Sequence, residues 1–233
     1  IVPSRLHIKI VCVVRGRPPA TTLTDPYSPE QEIAGMNDLR QSFPAADQCG
    51  LLAAHGFGET FAGLWIENGD PGEIADFLRL DQRSARETSL ELEETQTPDG
   101  ILPFNGDDAV WIGPHATGWS AVVGLSALNE EGARLIEGGR RMLEVSWSWE
   151  IDGVYPLNYS NGVRVSEELE GWLVPPGSVF EPYAHGLFPD SDEGQGDEVS
   201  ANAYLTLVGR MTGRFLDDDW FRTVGRVFPL SVP

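Results

Sequence analysis

Hydrophobic and polar residues follow no single period along this chain. Short alternating runs and short helical repeats succeed one another, separated by glycine, proline and asparagine. Thr60–Ile66 reads as a strand. Asp70-Pro71-Gly72-Glu73 follows, with Asp as N-cap, Pro at the first helical position and Glu set for a capping box. Ile74, Phe77 and Leu78 then fall on one helical face. The stretch 84–106 is polar and expected to be irregular, with a short helix around Leu90 to Glu94. Ala109–Gly113 and Trp119–Leu125 read as strands joined by a turn from Pro114 to Gly118.

A short helix is expected from near Asn129 to the Gly138-Gly139 pair. Met142–Trp149 alternates, with Val145, Trp147 and Trp149 on one face. Asp152-Gly153 and Asn161-Gly162 are hairpin signals that link this strand to Val154–Tyr159 and Val163–Glu167, an antiparallel meander over residues 141–168. Residues 171–198 read as loop. Val199, Ala203, Leu207, Val208 and Met211 mark an amphipathic helix that stops at Gly213, and Asp217 caps a last helix through Trp220, Phe221 and Val224. No repeat of solenoid period is present. The fold class is α+β: an antiparallel sheet of hairpins and meander with several short helices packed on it, in one domain over residues 36–233.

The first 35 residues differ. Their Pro, Thr and Gly content from residue 16 onward reads as a linker, and Met36 opens the orderly pattern. The expectation is that residues 1–35 are an upstream extension outside the native fold; a leading strand from Leu6 to Val14 is the alternative.

Charge narrows the function classes. The chain has 36 acids against 16 cations, a formal charge of -20, and Lys9 is its only lysine. Residues 1–35 hold four cations (Arg5, Lys9, Arg15, Arg17) and three acids (Asp25, Glu30, Glu32), leaving 12 cations against 33 acids in the remainder. Such a surface repels phosphate backbones and anionic lipid, so neither nucleic acid nor membrane is an expected partner. No apolar run approaches the length of about 18 residues that a membrane-spanning helix needs. Two cysteines, Cys12 and Cys49, are too few for a disulfide framework and read as free thiols, which fits a cytoplasmic protein.

Several segments together resemble a known family: Thr60–Leu80, Val110-Trp111-Ile112-Gly113-Pro114, Gly118-Trp119, Gly138-Gly139-Arg140, and the run from Tyr204 to Gly213. Over about residues 58–224 the chain resembles an actinobacterial family catalogued as a domain of unknown function. The arginine bias agrees with a high-GC actinobacterial genome. The resemblance implies fold and lineage, and it carries no active site.

Familiar catalytic patterns fail on inspection. Gly56-Phe57-Gly58 starts like a dinucleotide loop, but Phe61 and a strand follow it. Gly118-Trp119-Ser120-Ala121-Val122 resembles a nucleophile elbow with Val in place of the last Gly. A triad of Ser120, His115 and Asp107 or Asp108 lies in one short segment, although turn and strand residues of these types are common without catalysis. The loop Asp190–Glu198 places Gln195 and Ala201 where a calcium loop needs Gly and Glu. Asp217-Asp218-Asp219 suits a helix start better than a metal. His7, His55, His115 and His185 are too scattered for a zinc site. No cofactor or metal is expected.

If the chain has a pocket, its first candidates are His115 at the turn between tryptophans and His185 with Glu181 in the proline-rich loop. Trp111, Trp119, Trp147 and Trp149 would line a ligand cleft or, as aromatics on strands more commonly do, form core. The leading reading is a non-enzymatic binding or accessory module with a basic protein as partner, an immunity protein that neutralises a cationic toxin being one concrete form. The alternative is a small-molecule enzyme with an acid–base site built from carboxylates and His near the aromatic strands. It requires a carboxylate or His buried there with a strongly shifted pKa. Capping and solvation account for many of the acids, which weakens charge alone as evidence for a partner.

Overall fold

The computed structural model describes residues 39–91, 109–125, 135, 139–150, 153–162, 165–171, 173–188 and 196–230. The extension 1–35, Met36, Asp107, Asp108, the helix expected near Asn129 (apart from Leu135) and most of the acidic loop 190–198 lie outside those residues.

The chain folds as α+β around one antiparallel sheet. The elements are α1 (Gln48–Ala54), β1 (Thr60–Glu67), α2 (Pro71–Phe77), β2 (Arg86–Thr88), β3 (Ala109–Ala116), β4 (Trp119–Val123), β5 (Arg141–Ser148), β6 (Gly153–Val154), β7 (Leu157–Asn161), β8 (Val165–Leu169), a 3-10 turn (Glu181–Tyr183), α3 (Asp197–Thr212), α4 (Asp218–Phe221) and β9 (Gly225–Pro229). The sheet runs β2-β9-β3-β4-β1-β5-β7-β8, with β6 pairing β5.

Alternation along the strands divides the core into two layers. Phe61, Trp65, Trp111, Val123, Leu143, Val145 and Trp147 point to one side, where Leu52 of α1, Tyr204, Leu205 and Val208 of α3, and Trp220 and Phe221 of α4 cover them. Leu64, Ile66, Val110, Ile112, Val122 and Met142 point to the other, against Ile74 and Ala75 of α2, with Leu78, Leu125 and Leu135. The first layer holds the buried tryptophans and the second is mainly aliphatic around Phe228, and together they bury most of the large side chains.

Local chemistry starts and stops the helices as expected at three points. The Asp70 carboxylate accepts from the N–H groups of Gly72 and Glu73 at the head of α2. Asp217 accepts from the Trp220 N–H at 2.7 Å to cap α4. Gly213 closes α3 with φ 87°, a left-handed conformation that glycine adopts without Cβ strain.

Elsewhere the structure corrects the expectations. β3 continues through Pro114, His115 and Ala116, so the turn shrinks to Thr117-Gly118; a register shift between Pro114 and Ala116 absorbs the proline, which cannot donate to the ladder. Arg86–Thr88 in the polar stretch is an edge strand; of the short helix expected around Leu90 to Glu94, Leu90 and Glu91 are not helical and residues 92–94 lie outside the described residues. Val224 does not extend the last helix: it is exposed, and β9 begins at Gly225. The nominal loop 171–198 contains the 3-10 turn and ends in α3, which starts at Asp197. That helix is also less one-sided than its pattern implied. Val199 is exposed while Tyr204, Leu205 and Arg210 are buried, because α1, the sheet and the 3-10 turn pack on different sides of it.

Candidate functional site

Antiparallel pairing gives the sheet two ends. Glu67, Trp119, Arg141 and Asn161 are brought to one of them by the registers of β1 with β4, β1 with β5 and β5 with β7. α3 finishes at this end, where the Thr212 hydroxyl lies 2.9 Å from His115 Nε2. The other end holds Ser148 and Gly153, with Asp197 at the start of α3 beside Gly153.

The arginines crowd the first end. Arg141 pairs with Glu67 through two N–H donors and lies 5.8 Å from the Trp119 ring centroid. Arg140 pairs with Glu73 at 3.1 Å and covers Phe77. Arg214 bonds the Asp217 carboxylate at 3.0 Å and the His115 carbonyl at 2.9 Å. Arg210 donates to the carbonyls of Ser42, Tyr183 and His185, tying the turn of residues 39–43 and the 3-10 segment to the last turns of α3.

His115 is the most perturbed titratable group at this end. Its ring is 2% exposed and meets Trp65 and Trp220 edge to face, with centroids 6.0 and 6.2 Å away. Burial, reinforced by the Arg214 charge, pushes its pKa down from 6.5 to about 3, so the imidazole is neutral at pH 7. Thr212 already donates its hydroxyl proton to the Val208 carbonyl at 2.8 Å. Nε2 must therefore carry the hydrogen and donate to Thr212. Ser120 points to the opposite face, where its hydroxyl donates to the Gly69 carbonyl at 2.6 Å. The sheet thus separates Ser120 from His115, and the two cannot act as one triad.

The remaining residues singled out from the sequence scatter. Trp111 is fully buried and its indole N–H donates to the Thr88 carbonyl at 3.1 Å. Trp147 is buried against Phe61 and donates to the Gly58 carbonyl at 3.3 Å, while half-buried Trp149 stacks on it at 5.7 Å. Trp119 and Trp149 sit at opposite ends of the sheet. Trp111 and Trp147 are core, and the four tryptophans form no shared cleft. Glu181 is exposed and caps the Gly177 N–H at 2.6 Å; His185 is exposed and contributes its carbonyl to Arg210.

The opposite end is acidic. Asp47 and Glu198 act on Cys49, whose thiol is pushed up from 9.0 to about 11 by burial first and then by these two charges. Burial first, then the charges of Glu170 and Asp197, push Tyr204 up to about 12. Asp47, Glu170, Asp197 and Glu198 are exposed, and among the described residues no cation pairs with them. Two exposed apolar side chains stand near them in the chain, Val199 next to Glu198 in the first turn of α3 and Leu173 three residues after Glu170.

The pattern of single residues could not reveal this grouping, because the four acids come from α1's cap, the segment after β8 and the head of α3. Nor did it single out Arg210, whose place among the apolar residues of a predicted helix was the available signal. Among the described residues no set of three or more His, Cys, Asp or Glu side chains is arranged to hold a metal ion, and no helix is long and apolar enough to cross a membrane. No protein-family profile, no curated protein and no solved structure matches the chain.

Proposed function

We propose that this protein is a non-enzymatic binding module that receives a basic protein at the acidic end of its sheet. The observation that carries the reading is the set Asp47, Glu170, Asp197 and Glu198, exposed and lacking any described cation partner, with Val199 exposed beside Glu198 in the chain. Carboxylates that no neighbouring cation neutralises keep their field for an incoming cation, which speeds encounter and rejects anionic competitors. An exposed apolar side chain such as Val199 adds contact area that charge alone lacks. An immunity protein that neutralises a cationic toxin is one concrete form, and the actinobacterial resemblance belongs to the same proposal as lineage, not activity.

The test is capture from native lysate on immobilised protein at low salt, run beside the triple variant Glu170→Gln, Asp197→Asn, Glu198→Gln. A basic protein retained by the native chain, released by salt and lost from the variant is the expected result. Recovery of no basic protein, or equal recovery on the variant, would overturn the reading.

A second reading, an acid–base enzyme, is favoured by one observation: a histidine with a strongly lowered pKa buried beside the tryptophans. Against it, His115 is sealed at 2% exposure and its Nε2 is occupied by Thr212. Turnover of any ester, phosphate or amide in a substrate panel by the native chain and not by His115→Gln would favour the enzyme.

A further inference from the structure

Arg210 presents a charge problem. It is 2% exposed on the last turns of α3, with its guanidinium 4.7 Å from the Phe43 ring centroid. Nε donates to Ser42 at 2.8 Å, and Nη1 donates to Tyr183 at 2.6 Å and His185 at 2.8 Å. Nη2 is buried and has no acceptor. Among the described residues no carboxylate pairs with it, and burial pushes its pKa below the ordinary guanidinium value with nothing to offset that.

Arg40, half-buried in the turn of residues 39–43, carries a second such N–H against the same 3-10 segment. Its guanidinium lies 5.3 Å over the ring of Tyr183, the residue whose carbonyl Arg210 holds, and its Nε is buried without an acceptor. Arg40 is also two residues from Ser42, the other carbonyl Arg210 holds. It too has no carboxylate partner among the described residues. Two guanidinium groups, each with an N–H lacking an acceptor, therefore adjoin Tyr183 and the turn of residues 39–43.

Buried charges in proteins are paired, and a buried N–H left without an acceptor costs about 1–3 kcal/mol. Stapling three carbonyls explains Nε and Nη1 of Arg210, but neither its Nη2 nor the concentration of positive charge. In a chain with 36 acids, carboxylate partners are abundant, yet neither arginine has one among the described residues. A guanidinium fork matches the two oxygens of a carboxylate or phosphate, and charge-assisted bonds of this kind are roughly twice as strong as neutral ones.

We propose that Arg40 and Arg210 form a binding site for the oxyanion of a small molecule, a carboxylate or a phosphate, between the turn of residues 39–43 and the Tyr183–His185 segment. The site is independent of the acidic end, and its occupant is opposite in charge to the basic partner proposed there.

The test is thermal unfolding of the full chain titrated separately with inorganic phosphate and with acetate, each against chloride at matched ionic strength. A saturable rise in Tm with either anion beyond chloride is expected, and which anion acts identifies phosphate or carboxylate as the recognised group. Arg40→Gln should weaken that response about tenfold or more. Arg210→Lys keeps the charge but loses the fork and should weaken it as well; if that variant does not fold, Arg40→Gln still decides. No rise beyond chloride in the native chain, or an unchanged response in Arg40→Gln, would overturn the proposal.

Discussion

The indole of Trp111 lies against Gly225, where a Cβ would stand 2.6 Å from its Cζ2. The same ring covers Gly113 on β3, and a Cβ there would also stand 3.1 Å from the Gly225 Cα. Two glycines on neighbouring strands thus form the floor on which a fully buried tryptophan rests, and the Trp111 N–H reaches across to Thr88 on β2. This arrangement fastens the short strands β9 and β2 to the edge of β3.

Gly225→Ala should therefore destabilise the fold by roughly 1–3 kcal/mol, the usual cost of forcing extra volume into a packed core. Urea unfolding would show a lower midpoint with an unchanged m-value. A loss below about 0.5 kcal/mol would mean that Trp111 swings aside, contrary to this packing.

Gly209→Ala tests a similar close approach inside a helix. In an open helix alanine would gain about 1 kcal/mol over glycine. Here a Cβ would collide with Phe215, 2.9 Å from its Cε1, and stand 3.2 Å from the Arg214 carbonyl. The clash should win, giving a net loss of about 1–2 kcal/mol in chemical denaturation. The double variant with Phe215→Leu should recover part of it.

His115 predicts how stability depends on acid. Its folded-state pKa is depressed from 6.5 to about 3, so over that window the unfolded chain binds a proton that the native chain refuses. Stability is full above pH 6.5 and falls by up to ~1.4 kcal/mol per pH unit as acid is added, until the native pKa is reached. Urea midpoints at pH 7, 6 and 5 isolate this group from most carboxylates. His115→Gln should be less stable at pH 7, yet lose less between pH 7 and 5 than the native chain does.

Cys49 serves as a reporter of the acidic end. With its pKa raised to about 11, alkylation by iodoacetamide at pH 8 should be far slower than for a free thiol. Glu198→Gln removes one of the two charges acting on it, so its rate should rise. An unchanged rate with intact circular dichroism would show that burial accounts for the whole shift.

Local chemistry was legible where a few adjacent residues settle the outcome. Asp70-Pro71, Asp217 and Gly213 mark helix ends through hydrogen bonds and backbone angles that involve their immediate neighbours. Asn161-Gly162 marked the β7–β8 hairpin, with Gly162 at φ 91°, and alternation put Val145 and Trp147 on a common face. The neighbouring residues did not announce β2 or β9, since Arg86–Thr88 and Gly225–Pro229 are short and become strands by pairing across the chain.

The sequence by itself therefore determined the fold class, most of the strands and the helix caps, because turns and caps are satisfied over a few residues and alternation assigns a strand its faces. Only the tertiary structure decided that Ser120 and His115 lie on opposite faces, that Trp111 is floor-packed core, and that Arg40 and Arg210 meet at Tyr183. Those outcomes rest on contacts between distant residues, such as His115 with Thr212 at a separation of 97 and Arg210 with Ser42 at 168. Such contacts form only when the sheet order and the seat of α3 are set, and no local periodicity carries that information.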